Sequence, residues 1–420
     1  MNVIILYEHL MREWKSVQRL KKQFKKKHIN AKVFNIYFEM SKAITYAHFN
    51  KIDILFLPWI RDDYDEKIIS RLLMTNDKMI VINLHHEQIM NKANVFDYIP
   101  FSEYARNGVY HFAWGDYFKD FLIKHGVDEN RIRVVGNMRL EDRFVNSDRN
   151  ELADKYGLDK NKRWILFADN RGTWDKMTPK DLRKFVKYGY DANKMSQQTK
   201  LENSTLEALV NELKTIPQEI GDKYEIIYRP HPFADFDYSF KYVHVIAAES
   251  IYDWINEVEL FITFGSTSIF EADMCGVPSM THGLERVPAE FIIEGVNEYP
   301  KLISFSSIND ILISNVKKEC DEKNIYKKYI GKYTDNVAQI YVNTALELTK
   351  DKSSVTIKYS QMSRLSMYKL YLREFVTYYL VKSGLFIKIQ WPLMAVAKIG
   401  DLPFYKENNW IYDNNLGGKR

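Results

Sequence analysis

Two short segments of this chain hold side chains of the right type and spacing to grip a phosphate ester. One is Tyr228-Arg229-Pro230-His231-Pro232; the other is Phe264-Gly265-Ser266-Thr267-Ser268-Ile269-Phe270-Glu271-Ala272. Each closes an apolar run, Tyr224–Tyr228 and Leu260–Phe264, that reads as a buried parallel strand. Both polar clusters are therefore expected at carboxyl ends of strands, where open α/β sheets bind ligands. Ser266, Thr267 and Ser268 would open a helix whose first N–H groups attract an anion, and Gly265 would let the backbone come close. Arg229 offers a planar fork of donors and His231 a proton-dependent one, held between two prolines. Glu271, one helical turn further on, suits hydroxyl groups. The plainer readings are an N-cap with a tight βα turn, a histidine packed in a turn, and a carboxylate complementing a helix start.

Candidate acids and bases lie elsewhere. His85-His86-Glu87-Gln88 follows the apolar run Met79–Leu84, and a carboxylate beside two imidazoles can serve as a general base for a hydroxyl. A structural cluster or a metal site would use the same residues. Asp169 and Asn170 end the run Trp164–Ala168; Asp169 would be either a nucleophile or a turn residue. Arg139 and Asp142 would line the same cleft or form a surface ion pair. Asp63-Tyr64-Asp65 and Asp235-Phe236-Asp237 match a short cation-holding pattern, but neither directly follows a suitable strand. No metal is expected.

These residues need a scaffold, and the apolar periodicity supplies one. Strands are predicted at Val3–Tyr7, Lys32–Tyr37, Ile54–Leu57, Met79–Leu84, His111–Trp114 and Ile132–Val135. A second set is predicted at Trp164–Ala168, Glu225–Tyr228, Val243–Ala247, Leu260–Phe264, Pro278–Thr281 and Leu302–Phe305. Helical stretches separate them, the signature of α/β architecture in two Rossmann-like domains. The expected division is 1–150, 151–345 and a helical tail 346–420. Val145–Arg163 reads as the linker and Tyr188–Glu202 as a long polar loop.

Taken together, Arg229-Pro230-His231-Pro232, Phe261–Ser268, Glu271-Ala272 and Gly276-Val277-Pro278 resemble the donor half of bacterial surface-polysaccharide transferases. Those include CDP-glycerol glycerophosphotransferases, polysialyltransferases and Kdo transferases of capsule and lipopolysaccharide assembly. His85–Gln88, Ala113-Trp114-Gly115 and Val135-Gly136-Asn137-Met138-Arg139 resemble surface carbohydrate biosynthesis proteins, with Met138 where that family usually has Pro. The resemblance covers about residues 80 to 285. It implies a GT-B fold of two facing Rossmann-like domains and metal-independent glycosyl or polyol-phosphate transfer. The first domain would take a glycan or lipid-linked glycan acceptor and the second a nucleotide-sugar donor. It further implies that His231 contacts the nucleotide phosphate and Glu271 the ribose, with the nucleotide-sugar a substrate and no separate cofactor. Glu87, His231 and Asp169 are then the catalytic candidates. Arg229, His231, Gly265, Ser266, Thr267, Ser268 and Glu271 would bind the donor; His85, His86, Gln88, Arg139 and Asn170 would line the acceptor side or cleft. A sugar-nucleotide 2-epimerase and a non-catalytic glycan-binding scaffold are the alternatives.

Bulk properties narrow the field. The 420 residues exceed one ordinary core. A net charge of +5 is small against 60 basic and 55 acidic side chains, so nucleic acid is not expected as a partner. The basic run Arg19–Lys27 reads as a solvated helix face. Two cysteines make no disulfide framework, which fits a cytosolic location. The N-terminal apolar run is too short for a signal peptide. The tail Met367–Lys398 mixes aromatics with Lys369, Arg373, Lys382, Lys388 and Lys398. It is expected to pack back on the core as a helix pair, with the cytoplasmic face of the inner membrane as the other destination.

Overall fold

The computed structural model describes residues 1–383 except 9, 94, 145–146, 172–190, 232–233, 235, 332–335 and 351–356. Gly172, Pro232, Asp235 and the tail beyond Ser383 thus lie outside the described residues, as does the Asp142 side chain. The chain divides into two compact units.

The first unit holds six parallel strands: β1 (Asn2–Tyr7), β2 (Asn30–Asn35), β3 (Ile54–Leu57), β4 (Ile80–Asn83), β5 (Tyr110–Ala113) and β6 (Ile132–Val134), in the order β2-β1-β3-β4-β5-β6. Strand β1 shows why they are internal. Val3, Ile5 and Tyr7 point into one core with Val17, Leu20 and Phe24 of helix α1 (Leu10–Lys26). Ile4 and Leu6 enter another with residues of α2 (Met40–Phe49) and α3 (Asp63–Leu73). A strand covered on both faces needs a continuous apolar run, not alternation. The basic run lies along α1, with Leu20 and Phe24 inward and Lys22, Lys25 and Lys26 exposed.

The second unit holds β7 (Arg163–Ala168), β8 (Tyr224–Arg229), β9 (Val243–Val245), β10 (Leu260–Thr263), β11 (Ser279–His282) and β12 (Lys301–Leu302), ordered β12-β11-β10-β7-β8-β9. Within the unit the chain starts at β7, winds outward through β8 and β9, then restarts at β10 beside β7. The strand order therefore reverses between β7 and β10. Such a reversal splays the two following connections apart and opens a crevice at the carboxyl ends.

All twelve predicted strands are present, with ends shifted by a few residues. Two expected loops are not loops. Within the expected linker, Arg149–Tyr156 forms a helix (α4 here), capped by Asp148 and stopped by Gly157 at φ 67°. The expected polar loop begins helix α5 (Ala192–Lys214), whose first N–H groups are taken by the Asp191 side chain at 2.8 and 3.2 Å. The second unit spans residues 89–96 and 140–333, and the chain then returns to the first. There α6 (Val337–Leu348) packs on α1, burying Val337, Tyr341, Val342 and Ala345. Helix α7 (Arg364–Ser383) packs on α2.

Candidate functional site

Ala168, the last residue of β7, pairs with Arg229 of β8 on one side and Thr263 of β10 on the other. Neighbouring strands lie about 4.8 Å apart. The turns beginning at Asp169, Pro230 and Phe264 therefore leave the sheet side by side, at the reversal of strand order.

Asp169 organises this edge. Its carboxylate accepts Arg171 Nε at 2.9 Å, Arg171 Nη2 at 2.7 Å and the Tyr228 hydroxyl at 2.7 Å. Both Asp169 and Arg171 are buried, and the guanidinium lies 4.2 Å from the Phe264 ring centroid. Burial pushes the Asp169 carboxyl up, but the Arg171 guanidinium and the hydrogen bonds outweigh it and hold the group below its ordinary range. A carboxylate engaged in this way is a poor nucleophile, since displacing it would leave Arg171 buried and unpaired.

The Ser-Thr-Ser bend is pinned from below. The Thr263 hydroxyl donates to Ala168 O at 2.6 Å and accepts Ser266 N at 3.1 Å. Ser266 Oγ accepts the Ser268 amide at 3.3 Å and its hydroxyl at 2.8 Å. Thr267 precedes the short helix Ser268–Met274, on which Glu271 is buried. A Cβ on Gly265 would meet Leu284 at 3.7 Å and the Asn170 amide at 3.8 and 3.9 Å, ordinary contacts. The fold itself does not require glycine there.

Two residues at this edge each bury a polar atom with no hydrogen-bond partner among the described residues: Asn170 Oδ1 and Arg229 Nε. Arg229 is held from its far end, where Nη2 donates to Glu249 O at 3.1 Å. Burial lowers its pKa. His231 is partly buried. Burial and the neighbouring Arg229 cation push its pKa down, while the Asp169 charge pulls it up. Arg229 thus brings a positive charge to this edge, and burial beside that charge opposes a second one on His231.

In the first unit the polar cluster after β4 separates into two kinds. His85, at φ 45°, is buried with Nε2 2.8 Å from His111 Nδ1 and its ring stacked on that imidazole. Burial and the second ring hold its pKa well below the usual value, and burial pushes His111 down to about 4. Gln88 gives Nε2 to Phe112 O at 2.9 Å and takes Trp114 N on Oε1 at 2.7 Å. Both side chains stitch β4 to β5. Their bonded polar atoms are thus engaged within the unit. Glu87 and Arg139 differ. They are partly exposed and lie 3.4 Å apart. His86 Nε2 sits 3.4 Å from the fully buried Glu13.

Sequence reasoning missed the residues at the first sheet's own reversal, between β1 and β3. Glu8 receives Trp59 Nε1 at 2.8 Å and the Tyr37 hydroxyl at 3.1 Å. Glu13 takes the Glu8 amide at 2.7 Å. A glutamate directly after the first strand was the available signal. Of the two Asp-x-Asp triplets, Asp63 begins α3 behind the Asp62 cap, while Asp65 bonds Arg61. Among the described residues no three His, Cys, Asp or Glu side chains converge as metal ligands.

No family model and no curated protein matches this chain. Solved structures do. A histidine-to-alanine variant of the wall teichoic acid polymerase TagF is 11% identical, covers 84% of this chain and 90% of its own, and superposes with a TM-score of 0.53. A histidine-to-asparagine variant of TagF, soaked with CDPG, gives 12%, 84%, 90% and 0.51. The UDP-GlcNAc 2-epimerase from Methanocaldococcus jannaschii is 16% identical over 83% of this chain and 100% of its own, at a TM-score of 0.46. The TagF structures establish the fold as two α/β units of the GT-B type with a C-terminal helix.

Proposed function

We propose that this chain is a metal-independent glycosyl or polyol-phosphate transferase of surface-glycan assembly, taking a nucleotide-activated donor at the second unit. The observation that supports it most directly is the pair of unsatisfied buried atoms, Arg229 Nε and Asn170 Oδ1, at the carboxyl edge where the strand order reverses. An unpaired buried polar atom costs about 1–3 kcal/mol, and a bound ligand would recover that. Arg229 and the Ser266-Thr267-Ser268 bend would hold the donor phosphates, Gly265 would admit them closely, and Glu271 would take ribose hydroxyls. His231 would carry a proton toward the phosphate oxygen as the bond to the transferred group breaks and charge gathers on the leaving nucleotide. Asp169 would position Arg171 and Tyr228 beneath these groups.

Glu87, paired with Arg139, would be the general base for the acceptor hydroxyl, the acceptor being a glycan or lipid-linked glycan. The resemblance of the donor segments slightly favours a cytidine nucleotide. Thermal unfolding with a panel of CMP-, CDP- and UDP-activated compounds tests the donor. Mass spectrometry of products, with and without an oligosaccharide acceptor, tests the transfer. Stabilisation plus acceptor-dependent product supports the proposal. Product from the donor alone would make the chain an epimerase. No stabilisation by any nucleotide at millimolar concentration would leave a non-catalytic scaffold.

A further inference from the structure

Helix α7 has two faces of different character. One is docked on the first unit: Glu374 pairs with Arg71 through both oxygens at 2.6 and 2.7 Å. On the same side Tyr371 shares a 2.9 Å hydrogen bond with Thr45, and Tyr378 is buried under Lys42. The other face carries Leu365, Tyr368, Leu372, Phe375 and Tyr379, all exposed, by 43% at the least. Their spacing alternates three and four, which lines them up as one stripe along the helix. At 100° per residue, Arg364 and Lys382 fall on one flank of that stripe and Lys369 and Arg373 on the other. The helix has one acid, Glu374, and it is turned inward to Arg71. Cations therefore border the stripe, and no carboxylate of the helix does.

We infer that this face is a docking surface for an anionic lipid bilayer, with the stripe entering the boundary between headgroups and acyl chains. Leu and Phe would supply the apolar contact. Tyr368 and Tyr379 would keep their hydroxyls at headgroup level, and the four flanking cations would meet lipid phosphates. The docked face fixes the helix flat on the protein, so it would lie in the interface. No helix among the described residues is long and apolar enough to cross a membrane. A second copy of the chain fits less well, because pairing two such helices along their stripes brings cation against cation with no acid on either flank. The inference is independent of the donor site.

The test is co-sedimentation of the full chain with vesicles of phosphatidylglycerol and phosphatidylethanolamine, and with vesicles of phosphatidylcholine. We expect binding to the anionic vesicles only, weakening as salt is raised. Arg364→Gln with Lys369→Gln, one change on each flank, should lower the partition coefficient roughly fivefold per cation removed. Leu372→Asp with Phe375→Asp should abolish binding and leave the unfolding temperature unchanged, since both side chains are exposed. Absence of binding by the natural chain would overturn the inference, as would equal binding to neutral vesicles or full binding by the Leu372/Phe375 variant. A dimer in sedimentation velocity that this variant converts to monomer would assign the stripe to self-association. Capture of an acidic protein through the stripe, without lipid binding, would overturn it equally.

Discussion

Asn170 and Arg229 each bury one polar atom that no described residue satisfies. In a purely structural turn, truncating Asn170 would destabilise the chain; at a ligand site it would not. Asn170→Ala should leave the unliganded unfolding temperature unchanged or raise it, because an unsatisfied acceptor is removed. The stabilisation by a nucleotide-activated donor should shrink, by about 1 kcal/mol of binding energy. Thermal scans with and without donor read both quantities, and a destabilised variant with an intact donor shift would return Asn170 to a structural role. His231 makes a prediction of the same kind in pH. Burial and Arg229 depress its free-state pKa, whereas a bound phosphate diester would favour the imidazolium. Binding would then take up a proton, so affinity should rise as pH falls from about 8 to about 6. In His231→Gln that slope should vanish. Calorimetric affinities across the range measure it, and an unchanged slope would remove His231 from the phosphate contact.

At the scale of elements, the bend at Gly265 separates what the fold needs from what a ligand needs. A Cβ there meets only ordinary contacts. Gly265→Ala should fold with the unfolding temperature of the natural chain, yet bind donor at least tenfold more weakly, since a methyl group would occupy the approach to the phosphate. Equal affinity would show that the bend does not face the donor. The strands around it were readable in advance because central parallel strands are apolar end to end, as in Ile-Leu-Phe-Leu of β3. Helix α5 was not, because over its first three turns only Met195 is buried, so little apolar periodicity marks it. Its Asp191 cap was in plain view. His85 and Gln88 mark a different limit. Residue type reveals that a side chain can bond, but not whether it turns toward solvent or back across β4 and β5. Strand order has the same status: nothing local in the sequence says that β10 returns beside β7, and that return is what gathers Asn170, Arg229 and Gly265 at one edge.

At the scale of the whole molecule, the chain leaves the first unit, builds the second, and comes back through α6 to complete the first. Each unit has its own sheet and core, so heating should reveal separable transitions, and a ligand of one unit should move that unit's transition. Tyr341 tests this division. Its hydroxyl donates to Gly136 O at 2.8 Å, its ring lies edge-on to Phe112 at 5.1 Å between centroids, and the side chain is buried. Tyr341→Ala removes that packing and leaves a carbonyl unpaired, a loss of about 3–5 kcal/mol. Differential scanning calorimetry should show the first unit melting earlier, while the donor still raises the transition of the second by its natural amount. That outcome would locate donor binding in the second unit alone. Loss of the donor shift in Tyr341→Ala would mean that binding depends on an intact first unit, and the donor groups would then have to be sought on both.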